Sequence, residues 1–124
     1  MNVMLKIDSI ESYNSKKILD FNVGIETISK LKSQGKRVGL CHGGFDLLHA
    51  GHVKHFESAK KMCDVLIVSI TSDRFVQRRK GLGRPLFTEK LRAYMIAGIE
   101  YVDYVVISDF NTGIEVIEAL KPSF

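Results

Sequence analysis

The stretch Cys41-His42-Gly43-Gly44-Phe45-Asp46-Leu47-Leu48-His49-Ala50-Gly51-His52-Val53-Lys54-His55 decides how this chain reads. An apolar run ending at Cys41 enters a turn at Gly43-Gly44, and the chain leaves through Phe45 to Leu48 into a helical pattern that begins near His49. A strand, a glycine turn and a helix start make an anion site, because free backbone N–H groups leave the helix N-terminus and its dipole favours negative charge there. Glycines remove the Cβ atoms that would hold a phosphate away from the backbone. His49 and His52, three residues apart, share one side of the first helical turn.

Working outward from that stretch, Ile25, Ile28 and Leu31 recur at helical spacing over Val23 to Gln34, with Gly35 as the stop. Lys36-Arg37 then lead into a first buried strand, Val38 to His42. Residues 1–22 read as a lead-in arm, in which Val3, Leu5 and Ile7 alternate as a short strand would. Downstream, Val53, Phe56, Ala59 and Cys63 form one stripe of a helix that runs to about Met62. Val65 to Ile70 is apolar at nearly every position, as in a strand buried on both faces of a parallel sheet. Ser72-Asp73 starts a short helix through Gln77, and the basic, glycine-rich stretch from Arg78 to Pro85 reads as a loop. Thr88-Glu89 opens a helix with Leu91, Met95 and Ile99 toward the core, and Tyr101 to Ser108 is a third strand. Thr112-Gly113-Ile114-Glu115 fits a capping box for a last helix carrying Ile114, Val116, Ile117 and Leu120, which Pro122 stops. Strands that alternate with helices predict an α/β fold, an open parallel sheet with helices on both faces.

The 124 residues suffice for one domain, and 45% apolar with 26% charged residues is ordinary for a soluble globular protein. No apolar run approaches a membrane span and no signal pattern opens the chain, so a cytoplasmic protein without a membrane partner is expected. Cys41 and Cys63 match no metal motif and read as reduced core thiols. The net charge of +4 is modest and much of the excess lies between Arg74 and Arg84, which suits a local anionic ligand better than nucleic acid.

Gly43-Gly44-Phe45-Asp46-Leu47-Leu48-His49-Ala50-Gly51-His52-Val53 resembles the H-x-G-H signature of the nucleotidyltransferase superfamily, whose members are Rossmann-like adenylyl- and cytidylyltransferases. Ser72-Asp73, Lys80-Gly81 with Arg84-Pro85 and Arg92, and Ala97 to Asp103 resemble the heptose-phosphate adenylyltransferase domain of bacterial ADP-heptose synthesis. The resemblance spans about Lys36 to Pro122 and implies a nucleotidyltransferase-like domain over 23–124. It implies transfer of AMP from ATP to a sugar phosphate such as heptose 1-phosphate, with release of pyrophosphate and with Mg²⁺. It also implies that His49, His52 and Lys80 are catalytic. Gly43, Gly44, Phe45, Asp46, Gly51, Arg84 and Arg92 would line the nucleotide site, with Asp46 either holding Mg²⁺ or structuring the loop. A solvated basic loop is the plainer reading of Lys80 and Arg84, and His42, His55, Arg78 and Arg79 read as structural, rim or solvent-facing residues.

Three features depart from the family pattern. Gly44 stands where relatives have Thr or Cys, and Cys63 replaces a helix-ending glycine. The family's C-terminal strand and helix are lacking, which would leave Val38 to His42 as an open edge. A homo-oligomer (a dimer) through that edge, or a place in a longer polypeptide, is therefore expected. The rival functions are a CTP-dependent cytidylyltransferase acting on glycerol 3-phosphate or another phospho-alcohol, and a non-catalytic nucleotide-binding remnant.

Overall fold

Four parallel strands carry the structure, a computed structural model that describes residues 12–124. The alternation at Val3, Leu5 and Ile7 lies outside the described residues. In chain order the elements are β1 (Ile18–Leu19), α1 (Phe21–Ser33), β2 (Val38–Gly43), α2 (Ala50–Lys60) and β3 (Val65–Thr71). They continue with α3 (Asp73–Lys80), α4 (Glu89–Ala97), β4 (Tyr104–Ser108) and α5 (Gly113–Leu120). The sheet order is β1-β4-β3-β2 and every pair is parallel, which is the Rossmann-like α/β architecture. β1 comes from within the stretch set down as a lead-in arm: Ile18 and Leu19 pair with Val105 and Val106.

Both sheet faces are covered, which is why β3 is apolar on consecutive positions. On one face Cys41, Val68, Ile70 and Val105 pack under Phe56 of α2 and Ala93, Ile96 and Ala97 of α4. On the other, Val38, Ile67 and Val106 pack under Ile28 of α1 and Val116 and Leu120 of α5. Cys41 and Cys63 are buried free thiols. No described helix is long and apolar enough to cross a membrane.

Several boundaries differ from the periodicity, each for a local reason. α3 runs on to Lys80 because Arg78, Arg79 and Lys80 in its last turn complement the helix dipole, and Gly81 at φ 91° ends it. Its N-terminus is capped from a distance: the Asp73 N–H donates to Glu89 Oε1 at 3.0 Å, while the Ser72 hydroxyl donates to Asp109 instead. The inward stripe of α4 is Arg92, Ala93, Ile96 and Ala97, and Leu91, Met95 and Ile99 are half-buried. Small residues let the helix lie close to β3 and β4, and that placement rotates the longer side chains toward the rim. β4 begins at Tyr104, since the Asp103 carboxylate turns in to accept the Leu66 N–H at 2.8 Å and Lys60 Nζ at 2.6 Å. On α5, Ile114 and Ile117 face outward, 68% and 52% exposed. Cys63 needs no left-handed backbone, so the missing glycine there costs no strain, and its Sγ fills the space above Gly39.

The outer side of β2 is partly paired. The Ser123 N–H donates to Val38 O at 2.8 Å and the Leu40 N–H to Phe124 O at 3.0 Å. Ser123 Oγ also accepts the Val38 N–H at 3.0 Å. The edge expected to be open is thus covered along its first half, and among the described residues that pairing stops at Leu40.

Candidate active site

The carboxyl ends of β2, β3 and β4 open between two helix N-termini, α2 on one sheet face and α5 on the other. In an open α/β sheet this is where ligands bind. On the α2 side His49 is the N-cap, in an extended conformation at φ −137°. Its Nδ1 accepts the Gly51 N–H at 3.0 Å, and His52 Nδ1 accepts the His49 N–H at 3.1 Å. The two imidazoles therefore cap the helix reciprocally, the arrangement a Ser/Thr and Glu pair makes in an ordinary capping box. An Nδ1 that accepts must lack a proton, so both neutral rings carry theirs on Nε2. The expectation of bare N–H groups at this helix start is corrected in part: the histidine rings take the N–H groups of His49 and Gly51 and present Nε2–H donors in their place.

The rings stack at 3.9 Å between centroids and 30° between planes, and the Phe45 and His52 rings meet near-perpendicular, 5.3 Å between centroids. Burial, reinforced by His49, His55 and Lys80, pushes the His52 pKa below the usual histidine value. Gly51 is required by this packing. A Cβ there would sit 2.8 Å from His49 Cε1 and 2.9 Å from Nδ1.

The turn before the histidines is built differently from what two glycines suggest. The left-handed position is taken by Phe45, at φ 50°, and neither Gly43 nor Gly44 uses it. Gly43 is needed for close approach, since a Cβ would meet the Phe45 ring at 3.0 Å. At Gly44 a Cβ would find only Val76 at 3.8 Å, so a side chain fits where the family pattern has one.

Asp46 is 2% exposed, and both its oxygens are engaged. Arg84 Nε donates to Oδ2 and the Leu86 N–H to Oδ1 at 2.6 Å. Burial works to raise this carboxyl's pKa, but the Leu86 N–H and the Arg84 guanidinium outweigh it and hold it below the usual aspartate value. Of the two roles expected of Asp46, this geometry supports the structural one: it pins the 81–87 loop beside the site. Among the described residues no group of three His, Cys, Asp or Glu side chains could hold a metal ion, and Asp46 is already committed. The residues present do not make a Mg²⁺ cage.

Arg92 was expected to reach a phosphate, and the structure corrects that. It is fully buried, and Nη1 donates to Gly44 O at 2.6 Å and to Thr71 O at 2.8 Å. Nε donates to Phe87 O at 3.0 Å and Nη2 to Asp73 at 2.7 Å. One guanidinium thus ties the glycine turn, the end of β3, the start of α3 and the loop before α4. Its planar fork spends its donors on three backbone carbonyls and one carboxylate of the protein. Lys80 is exposed at the end of α3, close enough to act on both His52 and Asp46, while Arg84 is half-buried against Asp46.

Two further residues reach this end of the sheet. His42 Nδ1 lies 3.1 Å from Ser69 Oγ, and Ser69 is hydrogen-bonded to Ser108, both serines being fully buried. Arg79 donates to Asn111 O and stands near enough to His42 to help burial depress its pKa. Strand alternation could have placed His42, two residues past Leu40 on the α5 face. For Arg79 no sequence signal separates it from Arg78.

Known proteins share much of this sequence and fold. Residues 40–124 match the family model described as cytidylyltransferase-like. The curated relative "Bifunctional protein HldE" of Nitratiruptor sp. is 50% identical over 79% of this chain and 21% of its own length. HldE of Pelobacter propionicus is 43% identical over 90% of this chain and 23% of its own length. HldE of Campylobacter jejuni subsp. doylei is 41% identical over 98% of this chain and 26% of its own length. The chain thus spans about a quarter of the length of the relatives it matches. Among solved structures, the lipopolysaccharide core biosynthesis protein from Thermoplasma volcanium superposes with a TM-score of 0.63 at 26% identity, over 71% of this chain and 70% of that one. The chain belongs to the cytidylyltransferase-like family of nucleotidyltransferases.

Proposed function

We propose that this domain transfers AMP from ATP to a sugar phosphate of the heptose 1-phosphate kind and releases pyrophosphate. An oxygen of the sugar phosphate attacks the α-phosphorus, the bond to the bridging oxygen breaks, and pyrophosphate carries that electron pair away. Such a transfer needs alignment and charge stabilisation more than covalent chemistry from the protein. His49 and His52 supply Nε2–H donors at the positive end of α2, and Lys80 adds a full charge beside them. Arg84, held by Asp46, keeps the basic loop against the same cleft. Mg²⁺ would arrive on the nucleotide's phosphates, since these residues offer it no cage.

The observation that carries this reading is the reciprocal histidine cap, which fixes two donors side by side at a helix N-terminus. The identity to HldE proteins favours a heptose phosphate over other acceptors. The test is pyrophosphate release with ATP, CTP, GTP and UTP, each paired with heptose 1-phosphate, hexose 1-phosphates and glycerol 3-phosphate. ATP with heptose 1-phosphate should give the highest kcat/KM. Turnover confined to CTP with glycerol 3-phosphate would replace the proposal, and silence from a folded sample would favour a binding remnant.

A further inference from the structure

We infer that His42 and Arg79 form the corner that binds the acceptor's phosphomonoester, on the opposite wall from the histidine pair. This rests on the nucleotidyl-transfer reading above. The first observation is the hydrogen count of the buried chain Ser108–Ser69–His42. If His42 donated from Nδ1, Ser69 would donate to Ser108, and the Ser108 proton would have no acceptor among the described residues. In the reverse direction Ser108 donates to Ser69 and Ser69 to His42 Nδ1, so both hydroxyl protons are used. The serine pair thereby fixes the tautomer that carries its proton on Nε2. Ser69 and Ser108 are wholly buried, so the ring is oriented from within the sheet.

The second observation is position. Residues of one register share a face in a parallel sheet, and His42 pairs with Ser69, which pairs with Val106 of the α1/α5 face. His42 therefore rises on the α5 side, with its ring against Gly113, where a Cβ would meet Cδ2 at 3.1 Å. His49 and His52 stand at the start of α2, on the other face. The end of α3 serves both walls. Arg79 lies toward His42 and Asn111, while Lys80 lies toward His52 and Asp46.

The third step is stereochemical. Attacking and leaving oxygens are roughly in line across the α-phosphorus. With pyrophosphate leaving at α2, the attacking phosphate must approach from the α5 wall, where a neutral Nε2–H and a guanidinium suit a phosphate dianion.

The test compares His42→Asn, Arg79→Gln and Ser69→Ala with wild type, reading KM for ATP and for heptose 1-phosphate separately. Arg79 is exposed, so its variant keeps the proposal testable even where His42→Asn folds poorly. Each variant should raise the acceptor KM about tenfold or more and leave the ATP KM within about twofold. A rise in the ATP KM instead, or no change in either, would overturn the assignment. Nitrogen NMR of the imidazoles, with inorganic phosphate as probe, reads the corner without turnover. The His42 ring should be the Nε2–H tautomer, and phosphate should shift Nε2 in wild type but not in Arg79→Gln. If no nucleotide pair turns over, this titration decides alone: no shift, or an Nδ1–H tautomer, refutes the corner.

Discussion

Gly51→Ala separates the chemistry of the histidine pair from its contribution to folding. Alanine in place of a helical glycine gains about 0.5–1 kcal/mol from helix propensity. Its Cβ, however, would lie 2.8 Å from His49 Cε1. His49 is exposed, so its ring can swing away without moving backbone, but it then gives up the bond from the Gly51 N–H. Losing a helix N-cap costs about 0.5–2 kcal/mol. The two effects nearly cancel, and at roughly 3–6 °C per kcal/mol the Tm should stay within a few degrees of wild type. Activity should respond very differently. A displaced Nε2–H donor no longer meets the developing charge, and removing one such donor lowers turnover by about 10²–10³-fold. The assay is kcat for pyrophosphate release alongside a thermal melt of the same preparation. Turnover within about threefold of wild type at unchanged Tm would show that His49 needs no fixed place. A Tm loss beyond about 10 °C would show that the clash reaches the backbone, contrary to the reasoning.

Arg92→Met should destabilise by about 3–5 kcal/mol, because it strands Asp73, the half-buried carbonyl of Gly44 and the buried carbonyl of Thr71; equilibrium unfolding in urea within 1 kcal/mol of wild type would contradict its bracing role. Gly44→Ala should stabilise by about 0.4–1 kcal/mol, while Gly43→Ala should destabilise through the Phe45 ring, and equal midpoints for the two would be the adverse result. His52 and His42 both have folded pKa values below those of the unfolded chain. Their neutral forms therefore support the fold fully above pH ~6.5, and stability falls as the pH drops below that value, where the unfolded chain takes up protons more readily. Tm should decline between pH 7.5 and 5.5, less so in a His42→Gln/His52→Gln double variant; an identical decline in both would exclude the histidines as its source.

Much of the architecture is local and therefore legible. The strand, turn and helix at Val38 to Lys60, the apolar run of β3, and the Thr88 and Thr112 caps follow from periodicity and capping chemistry within a few residues. The motif around His49 and His52 likewise places both rings on one helical turn from spacing alone. Element ends were less legible: α3 runs past Gln77 to Lys80, and β4 starts only at Tyr104 because the Asp103 carboxylate turns in to the distant Leu66 N–H.

What only the tertiary structure decided is where each polar side chain spends its hydrogen bonds. The partners lie far apart in sequence: 48 residues from Arg92 to Gly44, 38 from Arg84 to Asp46, 27 from His42 to Ser69 and 39 from Ser69 to Ser108. A guanidinium satisfies itself equally well on a phosphate or on buried carbonyls, so residue type and spacing leave Arg84 and Arg92 alike. Packing separates them, by closing α4 over the end of β3 and turning Arg92 inward. The sequence determined three strands of the sheet, the helices and the histidine pair. The fold determined which of the basic residues brace that pair and which are left to meet an anion.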